Sequence, residues 1–401
     1  MSLPLDGVRV IDLTNVLAGP LCSYQMAMLG AEVIKIEVPG VGDLARKMGG
    51  DPELGRMGMG ASYCAANAGK KSITLNLKHV RGKEIFRRLV KDADVVLENF
   101  RPGTMKKLGL DYAALKKINA GLIYCAVSGF GQSGPLSQRP TYDQIIQGFC
   151  GLMSVTGDPA TAPIRAGFVV CDTTAAITAA FAVCAALYRK QKNGAGEMID
   201  VSMLDASLAS MGSWVVSNYF NAGQIPLPRG NENPTASPSG TYRTGNGLLN
   251  IVNNEDKHYE RLCDVIGMPE LKTDPRFAER NTRIGNREVL RGILEQALQS
   301  KSAAEWERLF DEAGVPAGPI LSIPEIMAHP QIESRQLIKR FKNVAGTGRD
   351  LAVTRVGFRL AGGQPDVDTP PPRLGQDTAA VLGGIGYSAS DIDELRRQGV
   401  I

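Results

Sequence analysis

Histidine is scarce here, with three in 401 residues, His79, His258 and His329, and none is placed as a recognisable base for a neighbouring cysteine. The 7 cysteines are odd in number, scattered and free of CxxC pairs. That argues against a disulfide framework and a zinc site, and no metal is expected. Charge of one sign is missing as well: Lys+Arg of 45 against Asp+Glu of 41 leaves +4. So even a balance excludes nucleic acid or an anionic membrane surface as the main partner, and any anion site must be local. The start lacks the charged and apolar regions of a signal peptide. The uncharged run Thr173 to Tyr188 is Ala/Thr-rich and shorter than the roughly 20 residues of a membrane span, so it reads as a buried helix. A reducing cytoplasm is the expected location.

What is present is alternation. VRVIDL (8–13) reads as a strand, the segment after Pro20 as a helix, and EVIKIE (32–37) as a second strand. SITLNL (72–77), a helix over 81–91 and DVVLENF (94–100) repeat the unit, with Ile85, Phe86, Leu89 and Val90 on one helical face. LIYCAVS (122–128), the loop GFGQSGP, a strand GFVVC, a long helix and MIDVSM (198–203) follow. Strands this apolar predict a parallel sheet covered on both faces. The length suggests about two to four domains.

The composition then changes. NAGQIPLPRGNENPTASPSG (221–240) is dense in turn-forming residues and reads as a linker. Short antiparallel strands and helices over 241–311 predict a smaller α+β domain. EAGVPAGPI (312–320) leads back, and QPDVDTPPPRLGQ (364–376) predicts an extended segment lying on a surface. Such a return predicts that residues 312–401 complete the large domain begun by residues 1–220.

Asp172 is the one charged side chain between Gly167 and Tyr188. An unpaired buried carboxylate is costly, so a local cause is required. It can cap the helix that follows, accepting orphan amides. It can also stand as a carboxylate nucleophile at the C-terminal edge of a parallel sheet. Neighbouring Cys171 reads as a core cysteine. Glu37 ends the second strand as a ribose-binding acid would, but the first turn, TNVLAGP, has one glycine and no GxGxxG. A nicotinamide cofactor is therefore not expected. Arg101, Lys106 and Lys107 after Asn99 and Phe100 form either a solvated helix face or a phosphate-holding cluster.

Together these segments resemble the class III CoA-transferases, which include formyl-CoA:oxalate and carnitine CoA-transferases and, as a divergent branch, α-methylacyl-CoA racemases. The resemblance rests on LPLDGVRVIDLTNVLAGP, LGAEVIKIE, KKSITLNLK, DVVLENFRPGTMKKLGLDY, YCAVSGFGQSGP, YDQIIQGFCGLMSVTG, the Asp172 segment, IDVSMLDA and VPAGPI. It implies a Rossmann-like large domain built from both chain ends, a small domain, and an intertwined homodimer with linkers crossing between subunits.

The resemblance also implies coenzyme A chemistry. Asp172 would be the nucleophile, with Tyr142 and nearby amides stabilising oxyanions. Leu17 and Ala18 would lie by the thioester. Leu75, Asn76, Leu77 and Lys78, with Asn99, Phe100 and Arg101, would surround the nucleotide. Lys107 would take phosphate, and Arg139 is a further candidate. Formyl/oxalate members carry Gln where Leu17 stands, Arg where Val38 stands, and a glycine-run flap that 231–240 lacks. This argues against formate and oxalate; the expected substrates are other small dicarboxylic acids, with succinyl-CoA a candidate donor. Racemases use a His shortly after the GFGQSGP-type loop, and RPTYDQIIQG has none. The alternatives are a racemase and a catalytically silent CoA-binding subunit.

Overall fold

Branched apolar residues on successive positions need cover on both faces, and β4 (Val95–Glu98) and β5 (Ile123–Ser128) are buried along their whole lengths. With β1 (Arg9–Asp12), β2 (Glu32–Glu37), β3 (Lys71–Thr74) and β6 (Glu197–Ser202) they form a 6-stranded sheet in the order β3-β2-β1-β4-β5-β6. Every pairing is parallel. The chain runs outward from β1 to β3 and then returns to place β4 on the other side of β1. Loops leaving β1 and β4 therefore diverge, which opens a crevice at the carboxyl edge of the sheet.

This computed structural model describes residues 2–401. One unit comprises the chain up to Gly151, Ala166–Ile225 and Gln331–Ile401. The other comprises Leu152–Arg165 and Pro226–Pro330.

Helices α1 (Ala18–Met28), α2 (Val80–Lys91), α3 (Asp143–Phe149) and α4 (Val170–Asn193) belong to the first unit. In α2 the buried face carries Ile85, Phe86, Leu89 and Val90, as its 3.6-residue spacing predicts. The last two helices, Thr378–Gly384 and Ala389–Arg397, bring Leu382, Ile392 and Leu395 into the same core as Ile11, Ile34 and Val96. The Pro-rich tail is tied along β3: Gly69 N–H donates to Thr369 O at 2.9 Å, Ser72 N–H to Asp377 Oδ2 at 2.8 Å, and Asn76 N–H to Val400 O at 2.7 Å.

The expected strand over GFVVC is absent. Phe168 lies in a bend and α4 begins at Val170, because the Val169 carbonyl accepts from Thr173 N–H and Thr173 Oγ1 as a helix terminus does, instead of entering a ladder. α4 is the one helix, among the described residues, long and apolar enough to cross a membrane. Here its small residues Ala175, Ala176, Ala179 and Ala186 are buried, and it packs on α1, β5 and β6. Its other face exposes Ile177, Phe181 (75%) and Tyr188 (62%).

In the second unit, strands β7 (Ser239–Arg243), β8 (Leu248–Val252) and β9 (Ala317–Pro319) form an antiparallel sheet. Helices cover one face, around Tyr242, Ile251, Leu262, Leu294 and Phe310.

Candidate active site

The loop after β1 is fixed from below by buried charge. Asp12 Oδ2 accepts from Lys70 Nζ at 3.0 Å and Ser23 Oγ at 2.6 Å, while Oδ1 accepts from Thr14 N–H at 2.8 Å. Burial opposes ionisation, but Lys70, Lys35 and the two hydroxyls outweigh it and hold the carboxyl well below its ordinary range. Burial in turn pushes Lys70 down to about 8, with Asp12 opposing. Gly19 is required by close approach, since a Cβ there would lie 2.3 Å from Thr14 Cβ.

Further along this loop, Asn99 at the end of β4 accepts from Asn15 N–H and donates to Asn15 O, each at 2.8 Å. Asp43 Oδ1 accepts from Val16 N–H and Ala45 N–H, both at 2.9 Å. Val16 has φ of 68°, a left-handed conformation that a β-branched residue adopts at a cost.

The α4 terminus is held by another carboxylate. Asp143 Oδ1 accepts from Cys171 N–H at 2.8 Å and Asp172 N–H at 3.1 Å. Its Oδ2 accepts from Gln147 Nε2 at 2.5 Å, and Gln147 Oε1 accepts from Ala166 N–H at 2.9 Å. Asp143, 5% exposed, thus takes the capping role that sequence pattern offered to Asp172. The Asp172 carboxylate has no hydrogen-bond or ion-pair partner among the described residues. Burial, and then the nearby Asp143 charge, push it up to about 7. Cys171 is buried, and the Cys150 thiol together with burial pushes its own thiol far above the usual range.

Asp172 lines a cleft of 550 Å³ at the carboxyl edge of the sheet. The floor and walls come from Asn15–Ala18 after β1, Asn99–Pro102 after β4, Val127–Gly129 at the end of β5, the turn Val41–Leu44 with Lys47, and Ser137–Tyr142. The structure thereby brings Asp172, Tyr142, Leu17, Ala18, Asn99, Phe100, Arg101 and Arg139 together. Tyr142 is 68% exposed, and Arg139 stacks over Phe149 at 4.7 Å. Leu75, Asn76, Leu77, Lys78 and Lys107 lie outside this lining. Leu75 is in the core, Leu77 packs against it, Asn76 is tied to Gly399 and Val400, and Lys107 is exposed on the helix Thr104–Leu108. Lys47, Arg101 and Arg139 form no ion pair with a carboxylate among the described residues. None of the three histidines lines the cleft, and His79 accepts from Arg81 N–H as the cap of α2.

Sequence reasoning missed Asp143, Asp43 and Lys47. A carboxylate directly after Tyr142 and at the start of a helix was the available signal for Asp143. Asp43 lies in a loop without periodicity, and nothing in its sequence surroundings marks it. No group of three or more His, Cys, Asp or Glu residues able to hold a metal occurs among the described residues.

The site is an unpaired carboxylate at the switch-point crevice of a doubly wound α/β unit, and comparison with known proteins gives the class. The sequence model of CoA-transferase family III matches residues 5–378. An acetyl-CoA:oxalate CoA-transferase of Acetobacter aceti is 40% identical over 352 residues, covering 88% of this chain and 89% of that protein. A succinate–glutarate CoA-transferase of Agrobacterium fabrum is 37% identical over 382 residues, covering 94% and 95%. Among solved structures, a CAIB/BAIF family protein from Brucella suis superposes with a TM-score of 0.84 at 34% identity, covering 96% of this chain and 100% of that one. The chain belongs to CoA-transferase family III, and it is an enzyme of the class III CoA-transferase type that uses acyl-CoA.

Proposed function

We propose that this enzyme moves CoA from an acyl-CoA thioester to a free carboxylic acid through covalent intermediates on Asp172, between small dicarboxylic acids, with succinyl-CoA as donor. The observation that carries this reading is the Asp172 carboxylate, unpartnered on the cleft wall while Asp143 satisfies the helix amides beside it. The carboxylate attacks the thioester carbonyl, forming a mixed anhydride and releasing CoA thiolate. The thiolate attacks the aspartyl carbonyl, giving an aspartyl-CoA thioester and the free donor acid. The acceptor carboxylate then attacks that thioester, and the thiolate released attacks the new acyl group, which regenerates Asp172. Water must be kept out, because it would hydrolyse both intermediates.

Tyr142, exposed in the same cleft, is assigned to the oxyanions. Leu17 and Ala18 lie by the thioester, and Asn99, Phe100 and Arg101 are assigned to the nucleotide, with Arg139 as a further contact. Lys107 is assigned to phosphate and, of Leu75–Lys78, the exposed Lys78 to an outer nucleotide contact, since Leu75 lies in the core. The Asn99 amide already clamps Asn15, so its part is to shape the loop as much as to touch CoA. Relatives named for succinate with glutarate support the dicarboxylic acid reading, while the Acetobacter aceti relative named for oxalate runs against setting that acid aside and puts it in the test panel. The test is an exchange assay with labelled succinyl-CoA against a panel of acids. Label should pass to C4–C6 dicarboxylic acids, and transfer to none of them would remove this reading.

Leu17 is assigned to acyl selectivity. A leucine leaves the oxygens of a compact polar acyl group unpaired, at roughly 1 to 3 kcal/mol for a buried polar group. Leu17→Gln is therefore expected to raise kcat/KM for oxalate relative to glutarate by about tenfold or more. Equal loss for both acids would show that Leu17 does not discriminate.

We also propose a cytoplasmic homodimer. The support is the α4 face of Ile177, Phe181 and Tyr188, with Trp214, Phe220 (75%) and Ile225 (74%) also exposed. Large apolar side chains exposed along one helix face favour cover by a partner surface, and the charged Arg189, Lys190 and Lys192 at the end of α4 do not suit a lipid core. Light scattering is expected to give twice 42.9 kDa. A folded, active monomer would contradict it.

A further inference from the structure

Val16 is held in a conformation that valine resists, and what holds it is built from buried charge. Asp43 is 1% exposed, and its Oδ2 lies 2.9 Å from Lys35 Nζ, both side chains being fully buried. Lys35 Nζ also donates to Thr14 O at 2.6 Å, so one ammonium ties Asp43 to the backbone just before the strained residue. Asp43 Oδ1 meets Val16 N–H on one side and caps the short helix Leu44–Lys47 through Ala45 N–H on the other. Its own N–H donates to Glu37 Oε1 at 2.9 Å, and Glu37 is paired with Arg46. Both segments that Asp43 joins, Val16–Ala18 and Val41–Leu44, line the Asp172 cleft.

We propose that Asp43, anchored by Lys35, is a positioning residue that keeps Val16 left-handed and so sets where Leu17 and Ala18 stand against the reacting acyl group. A left-handed valine relaxes unless its surroundings over-determine it. The Oδ1 contact, with the Asn99 clamp on Asn15, supplies that constraint at the two residues preceding Leu17. Relaxation of Val16 would rotate the Leu17 peptide, and a displacement of about 1 Å at a reacting centre lowers rates on the order of a hundredfold. This inference rests on reading the cleft as the acyl-transfer site.

Removing Asp43 alone would strand a buried ammonium, so the test replaces both partners. Lys35→Met/Asp43→Asn keeps an oxygen for Val16 N–H, whereas Lys35→Met/Asp43→Ala does not. With succinyl-CoA and glutarate, the Ala double variant is expected to show kcat about thirtyfold or more below that of the Asn double variant, with KM for succinyl-CoA differing less than about threefold between them. Adding Val16→Gly to the Ala variant should recover about tenfold, because glycine adopts positive φ without being held. Equal kcat in the two double variants, or no recovery with Val16→Gly, would overturn the proposal. So would an Ala variant that fails to fold beside a folded Asn variant, since Asp43 would then serve stability alone. Asp172→Asn, assayed alongside, separates the two readings: if it stays active the cleft assignment itself is wrong, whatever the Asp43 variants show.

Discussion

Asp172→Asn is expected to abolish CoA transfer, by at least about a thousandfold, while making the protein more stable at alkaline pH. The first effect follows from losing the proposed nucleophile, because an amide oxygen would not form the anhydride. The second follows from linkage. The carboxyl, with an ordinary value of 3.8, is pushed up to about 7 in the folded protein by burial and by Asp143. Between those values the native state binds more protons than the unfolded chain, so stability falls as pH rises from about 4 to 7 and stays lowered above that. That elevation corresponds to at most about 4 kcal/mol, and partial solvent contact at the cleft reduces it to about 1–3 kcal/mol. Asparagine carries no such cost. The variant should therefore melt a few degrees above wild type at about pH 8 and close to it at about pH 4, as read by calorimetry. A difference in melting temperature that is the same at both pH values would contradict the assigned cause.

Asp143 gives the second large effect, and two substitutions separate its roles. Asp143→Ala strips the acceptor from Cys171 N–H, Asp172 N–H and Gln147 Nε2. A lost cap and orphaned buried donors together cost about 2–4 kcal/mol, and the Asp172 backbone loses its anchor. Asp143→Asn keeps one acceptor oxygen for Cys171 N–H and Asp172 N–H, removes the charge and gives up the acceptor for Gln147 Nε2. Because repulsion from Asp143 is the lesser of the two causes raising Asp172, the rising limb of the pH–rate profile should move to lower pH in Asp143→Asn, though not as far as an ordinary carboxylate. Chemical denaturation of the Ala variant and a pH–rate profile of the Asn variant check the pair. An unmoved limb would mean that Asp143 does not act on the nucleophile electrostatically.

The sheet was legible because its strands are short apolar runs bounded by turns: EVIKIE is β2 over Glu32–Glu37, and LIYCAVS contains β5. α2 was legible from the 3.6-residue spacing of Ile85, Phe86 and Leu89. GFVVC misled because a run of valines has the same local appearance whether it pairs in a ladder or turns into a helix, and the deciding contacts, Asp143 to the α4 amides, come from 28 and 29 residues away. Asp172 was visible as a lone charge in an apolar stretch. The groups that prepare it were not, since Asp43 and Asp143 are ordinary loop and helix-start carboxylates until the fold brings Val16 and Cys171 to them. Leu75 and Asn76 show the converse. Their backbone follows β3, but the order of the sheet sets β3 two strands from β1, away from the crevice, and the C-terminal tail is tied to Asn76.

Asp172 is expected to be acylated during turnover. The direct measurement is peptide mass spectrometry after the enzyme is mixed with succinyl-CoA in the presence of hydroxylamine, which captures an activated aspartyl carbonyl as a hydroxamate. The modification is expected on the peptide carrying Asp172, only when acyl-CoA is present, with loss of transfer activity in step with it. Continued CoA transfer by a protein whose Asp172 remains unmodified under these conditions would contradict it.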